Sequence, residues 1–146
     1  MAENSICRFI DNKVISSLKG KRKLAKFIID FISEKTNRNC IIQYIFVDDD
    51  FLLTLNKNFL QHDTLTDIIT FDLSEKKSKT LEAEIYISIP RVKENASLFN
   101  VTYKQELHRV IFHGMLHLCG FKDKTPKQIN TMRKMETNCL EKYFNK

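Results

Sequence analysis

Two histidines four residues apart, His113 and His117, are followed by Asp123 in the run HGMLHLCGFKD. On a helix, residues at i and i+4 lie one turn apart on the same face. The two imidazoles can therefore converge on one ion, as they do in HExxH zinc helices. Gly120 is placed to end such a helix just past the second histidine, so that the chain turns back. Asp123 then comes close enough to complete a three-ligand site, and its neighbours Lys122 and Lys124 are cations that a divalent ion repels. Three protein ligands with an open position is the pattern of a catalytic zinc. The expectation is one divalent metal ion, zinc by preference, used for hydrolysis. The HxxxH spacing is by itself a weak motif, and the residues alone leave a coincidental pair of histidines open. His62 and His108 show no comparable context and are expected to be structural or surface residues. Gly114 stands where a metallopeptidase of the HExxH class keeps its glutamate general base, which counts against proteolysis.

Around this run, Arg91 at the head of a helix and Arg109 one turn before His113 are candidates to contact phosphate. Ordinary surface ion pairs are the alternative for both. Glu106, two turns before His113, is a candidate to orient a ligand histidine, with plain helix solvation as its alternative. The acidic run Asp48, Asp49 and Asp50 is explained more cheaply by helix capping than by a metal. Thr66 and Asp67 are expected to fix local backbone.

The elements that must position these side chains can be read from periodicity. Residues 5–10 suggest a short strand. From Lys21 to about Lys35, Leu24, Phe27, Ile28, Phe31 and Ile32 recur at helical spacing, and residues 40–47 read as a buried strand. A helix carrying Phe51, Leu52, Leu55 and Phe59 follows the three aspartates. Residues 67–73 and 82–89 form an expected antiparallel hairpin, with Ala83, Ile85, Ile87 and Ile89 on its buried face. Pro90 suits the first turn of the next helix. Thr102 with Gln105 opens the helix of the two histidines, and Thr125, Pro126 and Gln128 open a last one carrying Ile129, Met132, Cys139, Leu140 and Tyr143. This order predicts an α+β fold, one small mixed sheet with helices packed on it. The metal site would lie at the C-terminal end of a central helix, a zincin-like placement.

The chain has 146 residues, which suits one domain spanning 1–146. A net charge of +6 and a pI near 9.1 favour polyanionic partners, chiefly nucleic acid. Cys7, Cys40, Cys119 and Cys139 make no CxxC pair, so neither a zinc ribbon nor a disulfide scaffold is indicated. Without a signal-like N-terminus or an apolar run of the ~20 residues that span a membrane, a soluble cytoplasmic protein is expected. Nothing indicates an organic cofactor.

The run HGMLHLCGF resembles the signature of the YbeY family of endoribonucleases, HGxLHLxGYDH. Leu55-Asn56 and Thr66-Asp67-Ile68-Ile69-Thr70-Phe71 are similar to the family's LN and TDVLSF elements. Glu84-Ile85-Tyr86-Ile87-Ser88 is similar to its GDIVIS strand, and Glu106-Leu107 to its approach to the metal helix. The resemblance implies a metal-dependent, single-strand-preferring endoribonuclease of small-subunit ribosomal RNA 3′-end maturation and ribosome quality control. It implies ribosomal RNA and the small ribosomal subunit as partners, and a zinc-like ion on three residues. Three departures stand out. Asp123 occupies the place of the family's third ligand, a histidine, and moves metal preference toward harder ions such as manganese or magnesium. Leu60 aligns with the family's arginine, and Ala83-Glu84 with its GD. Two other function classes compete: a metal-dependent hydrolase of another substrate, and a ribosome-assembly protein whose metal only braces the fold.

Overall fold

The computed structural model describes residues 4–60, 66–76 and 78–145. His62 and the side chain of Leu60 lie outside that description. In chain order the elements are β1 (Ile6–Asp11), α1 (Lys21–Thr36), β2 (Asn39–Val47), α2 (Asp49–Leu55), β3 (Ile68–Asp72), β4 (Thr80–Ser88), α3 (Ile89–Leu98), α4 (Tyr103–Leu118) and α5 (Pro126–Phe144). The helix after β2 loosens from α2 into a single π-turn over Asn56–Leu60. The architecture is α+β, as the order of periodic segments indicates.

The four strands form one mixed sheet in the order β1-β2-β4-β3. β1 with β2 and β2 with β4 are parallel, while β3 and β4 form the expected antiparallel pair. Parallel neighbours need a crossover rather than a tight turn, and α1 supplies it between β1 and β2. The central strands are in register on one face: Cys40 opposite Leu81, Ile42 opposite Ala83, Tyr44 opposite Ile85, Phe46 opposite Ile87. Alternation along each strand puts all eight side chains on the same side, where every one is buried.

That face meets Leu24, Ile28 and Ile32 of α1 and Leu107, Val110, Ile111 and Met115 of α4 in the main core. On the opposite face a smaller cluster of Val47, Leu52 and Ile69 seats α2 against the sheet. The Tyr44 hydroxyl, fully buried, donates a 2.9 Å hydrogen bond to the carbonyl of Ile111 and ties α4 to the central strand. Burial, with a smaller contribution from the nearby cysteines, holds the phenol well above its usual pKa. The cysteines are unpaired, and burial raises each thiol, to about 11 for Cys40 and Cys139 and about 12 for Cys119. They are therefore inert protonated core groups. Among the described residues no helix is long and apolar enough to cross a membrane.

The helix boundaries follow the capping chemistry of the sequence. Asp48 accepts from the backbone of Phe51, Ser88 from Arg91, Thr102 from Gln105 and Thr125 from Gln128. At Thr125 the box is reciprocal, the Gln128 side chain accepting from the backbone of both Thr125 and Lys124. The last three caps fix where the helices bearing Arg91, the two histidines and Glu136 begin.

Candidate metal centre

α4 is buried nearly all round. Glu106, Leu107, His108, Val110, Ile111, Phe112, Gly114, Met115, Leu116 and Leu118 are all covered. The stripe left open is Arg109, His113 and His117, spaced four apart, whose side chains are 18, 19 and 29% exposed. It faces a cleft of about 1040 Å³ whose other walls come from β3, α3 and α5.

The turn after α4 delivers Asp123. Gly120 adopts φ +100°, a conformation that side chains with a Cβ rarely take. The backbone of Phe121 then reaches back to the carbonyl of Leu116 and that of Gly120 to His117, a Schellman closure. Four residues after Phe121 the capping box at Thr125 restarts helix, so Asp123 is held between two ordered motifs. Asp123 Oδ2 lies 3.3 Å from Nε2 of His113 and 3.3 Å from Nε2 of His117. Donor atoms of these three residues all lie within 4.8 Å of one another. Tetrahedral zinc with bonds of ~2.0–2.1 Å requires ligand atoms roughly 3.3 Å apart. The donor set thus fits a divalent ion in both chemistry and spacing. The partial negative charge at the C-terminus of α4 adds to its attraction for a cation.

A fourth residue completes the centre, and it comes from α5. Glu136, 1% exposed, accepts a 2.6 Å hydrogen bond from Nδ1 of His113 and a 2.8 Å bond from Arg109. Burial alone would raise its pKa, but the hydrogen bonds from His113 and Arg109 outweigh burial and lower it. A carboxylate only accepts, so Nδ1 carries the ring proton and Nε2 turns its lone pair toward Asp123. The sequence pointed to Glu106 for this orienting role. Glu106 instead pairs with Arg109, and Glu136 is the carboxylate that holds the histidine. Glu136 had a signal: an acid on the apolar face that also carries Met132, Cys139 and Tyr143. Ile129, expected to share that face, is 45% exposed and lines the cleft.

The other candidates fall out as follows. Arg109 lines the cleft with its guanidinium between Glu106 and Glu136; burial lowers its pKa but the two carboxylates more than reverse this. Arg91 also lines the cleft, paired with Glu94 at 2.8 Å and Asp49 at 3.5 Å, while its buried Nε has no partner among the described residues. Asp48 caps α2 as expected, and Asp49 accepts from the Ser88 hydroxyl. Thr66 and Asp67 stand on the cleft wall, with Thr66 bonded to the backbone of Ile68 and the Asp67 carbonyl to Ser88. His108 is buried away from the cleft, its Nδ1 2.7 Å from the carbonyl of Lys104.

Similarity to known proteins agrees with this geometry. Residues 8–144 match the family described as Endoribonuclease YbeY. A protein named Endoribonuclease YbeY from Cytophaga hutchinsonii is 57% identical over 99 residues, 68% of each chain. One of the same name from Porphyromonas gingivalis is 42% identical over 120 residues, 82% of this chain and 78% of its own. The solution structure of TM1509 from Thermotoga maritima superposes with a TM-score of 0.63 at 27% identity, covering 95% of this chain and 89% of that one. With the sheet order, the histidine helix and the sequence match in accord, the chain belongs to the endoribonuclease YbeY family.

Proposed function

We propose that this protein is a metal-dependent endoribonuclease that cuts single-stranded RNA, with residues 1–146 acting as one domain. The observation that carries this is the convergence of His113 Nε2, His117 Nε2 and Asp123 Oδ2 at the base of an open cleft. A divalent ion held there would supply Lewis acidity toward a phosphodiester and the water or hydroxyl that attacks it. His113 and His117 bind through Nε2, Asp123 contributes the carboxylate, and Glu136 keeps His113 in the tautomer and orientation this needs. Of the two arginines expected at phosphate, Arg91 lines the cleft and has a buried Nε–H with no partner among the described residues. Arg109 would have to leave two carboxylates to reach one.

Zinc is the ion we favour, with the carboxylate widening tolerance for harder ions. The basic net charge, +6, supports a nucleic-acid substrate. The relatives' name supports the reaction class. On the same grounds we infer a cytoplasmic role on small-subunit ribosomal RNA, in 3′-end maturation and ribosome quality control. The test is cleavage of single-stranded and duplex RNA by purified protein, with and without chelation, alongside elemental analysis. Metal-dependent cutting of single strands, lost in His117→Ala, is expected. A protein that carries its metal and cuts no RNA would instead be an assembly factor with a structural ion. Turnover of a peptide would place it with other metal hydrolases.

A further inference from the structure

Among the described residues four cationic side chains line the cleft: Arg91, Arg109, Lys124 and Arg133. They are not equivalent. Arg109 donates to both oxygens of Glu106 and to Glu136, and these two carboxylates are 1% exposed. Pulling Arg109 toward a ligand would strand two buried charges, which is strongly unfavourable. Arg91 is held by Glu94 and Asp49. Arg133, by contrast, is exposed, and its one ion-pair contact among the described residues is 3.9 Å from a Glu136 oxygen that Arg109 already occupies at 2.8 Å. The Lys124 ammonium, also exposed, has no ion pair or hydrogen bond among the described residues, although its backbone is fixed by Gln128.

Both free cations sit at the edge of the metal centre. Lys124 follows Asp123 directly. Arg133 is one turn of α5 from Glu136, the carboxylate that holds His113. The cleft lining also carries Asp67, Asp72 and Asp123, acids that would repel an incoming polyanion unless opposed. Building on the nuclease reading, we propose that Arg133 and Lys124 form the phosphate clamp of this cleft, gripping the backbone of the RNA strand as it crosses the metal centre. Arg133 supplies a planar fork suited to two phosphate oxygens, and Lys124 a mobile point charge. Arg109, though closer in sequence to the histidines, has the different task of fixing Glu136.

The experiment compares wild type with R133A, R133K, K124A and K26A. Anisotropy measures binding of a single-stranded oligoribonucleotide across a salt series, with cleavage kinetics and metal content measured in parallel. R133A and K124A should each raise KM and Kd roughly 10-fold, the weight of one charge-assisted hydrogen bond. Each should also flatten the log Kd against log salt slope by about 0.7, as expected for one lost single-strand phosphate contact. Metal content should stay at wild-type level, and R133K should recover the slope but only part of the affinity. K26A, outside the cleft, should change neither. Wild-type slope and KM in both R133A and K124A would overturn the clamp. If wild type binds RNA without cutting it, the nuclease reading fails alone and the slopes still decide the clamp. If it does not bind RNA at all, both fall.

Discussion

Glu136 on α5 joins two residues of α4, accepting from Nδ1 of His113 through one carboxylate oxygen and from Arg109 through the other. The metal centre is therefore assembled across a helix–helix interface. Its histidine is only as well oriented as the packing of α5 on α4, where Met132, Cys139 and Tyr143 of α5 join the main core.

Glu136→Ala should weaken metal affinity about 10- to 100-fold, the usual weight of an outer partner to a ligand histidine. Glu136→Gln keeps an acceptor for Nδ1 and should fall between that variant and wild type. Competition against a chromogenic chelator measures both, and wild-type affinity in the alanine variant would remove Glu136 from the centre. Arg109→Ala should cost roughly 3 kcal/mol of stability in denaturant titration, because it leaves Glu106 and Glu136 buried without their cation.

His113→Ala and His117→Ala should each lose their metal yet remain folded. The core face of α4 is carried by Leu107, Val110, Ile111 and Met115, none of which changes. Elemental analysis and circular dichroism on the same preparations check this. A full equivalent of metal in either variant would refute the ligand assignment.

Much of this centre could be read without coordinates, and the reason is locality. His113, His117, Gly120 and Asp123 belong to one helix end and its turn, where spacing and the glycine dictate geometry. The helix starts at Asp48, Thr102 and Thr125 were equally legible, since each cap lies within three residues of the group it satisfies. Glu136 was not, because its partner lies 23 residues away and only helix packing brings them together. The parallel pairing of β1 with β2 was hidden for the same reason: a strand's pattern shows its buried face but not its neighbour. The π-turn at Asn56–Leu60 had no signal in residue type.

Asp123→Ala should weaken metal binding severely, since Oδ2 sits 3.3 Å from both imidazole nitrogens. Asp123→His should keep binding and shift preference toward zinc over manganese or magnesium, a softer donor replacing a hard one. Titration of the three proteins with each metal at neutral pH distinguishes them. Unchanged affinity in the alanine variant would exclude the carboxylate as a ligand.

Acid should destabilise the fold through His108. Burial lowers its pKa from 6.5, while its bond to the Lys104 carbonyl only partly opposes that. The unfolded chain therefore takes up the proton first, so this contribution to stability is complete above pH ~6.5 and is lost as pH falls from there toward the folded pKa. His108→Phe can keep the aromatic contacts to Tyr143 and Phe144 and should lose less stability than wild type between about pH 7.5 and about pH 5.5. Equal losses in denaturant titrations at the two pH values would show that His108 carries no share.

Gly114 bears on how this helix can change over evolution. A Cβ built there would come within 3.1 Å of methyl groups of Ile68 and Ile85, so α4 rests on the sheet through a bare backbone. The residue that follows the first histidine points into the hydrocarbon between helix and sheet. A glutamate substituted there would be stranded among isoleucines, with a carboxylate desolvated and no route to the ion. The single codon change that would complete an HExxH sequence therefore leads toward an unfolded protein rather than a peptidase. Close seating of the helix closes that ancestral or future path, and any proton-accepting group must be recruited from the cleft walls or from the bound strand.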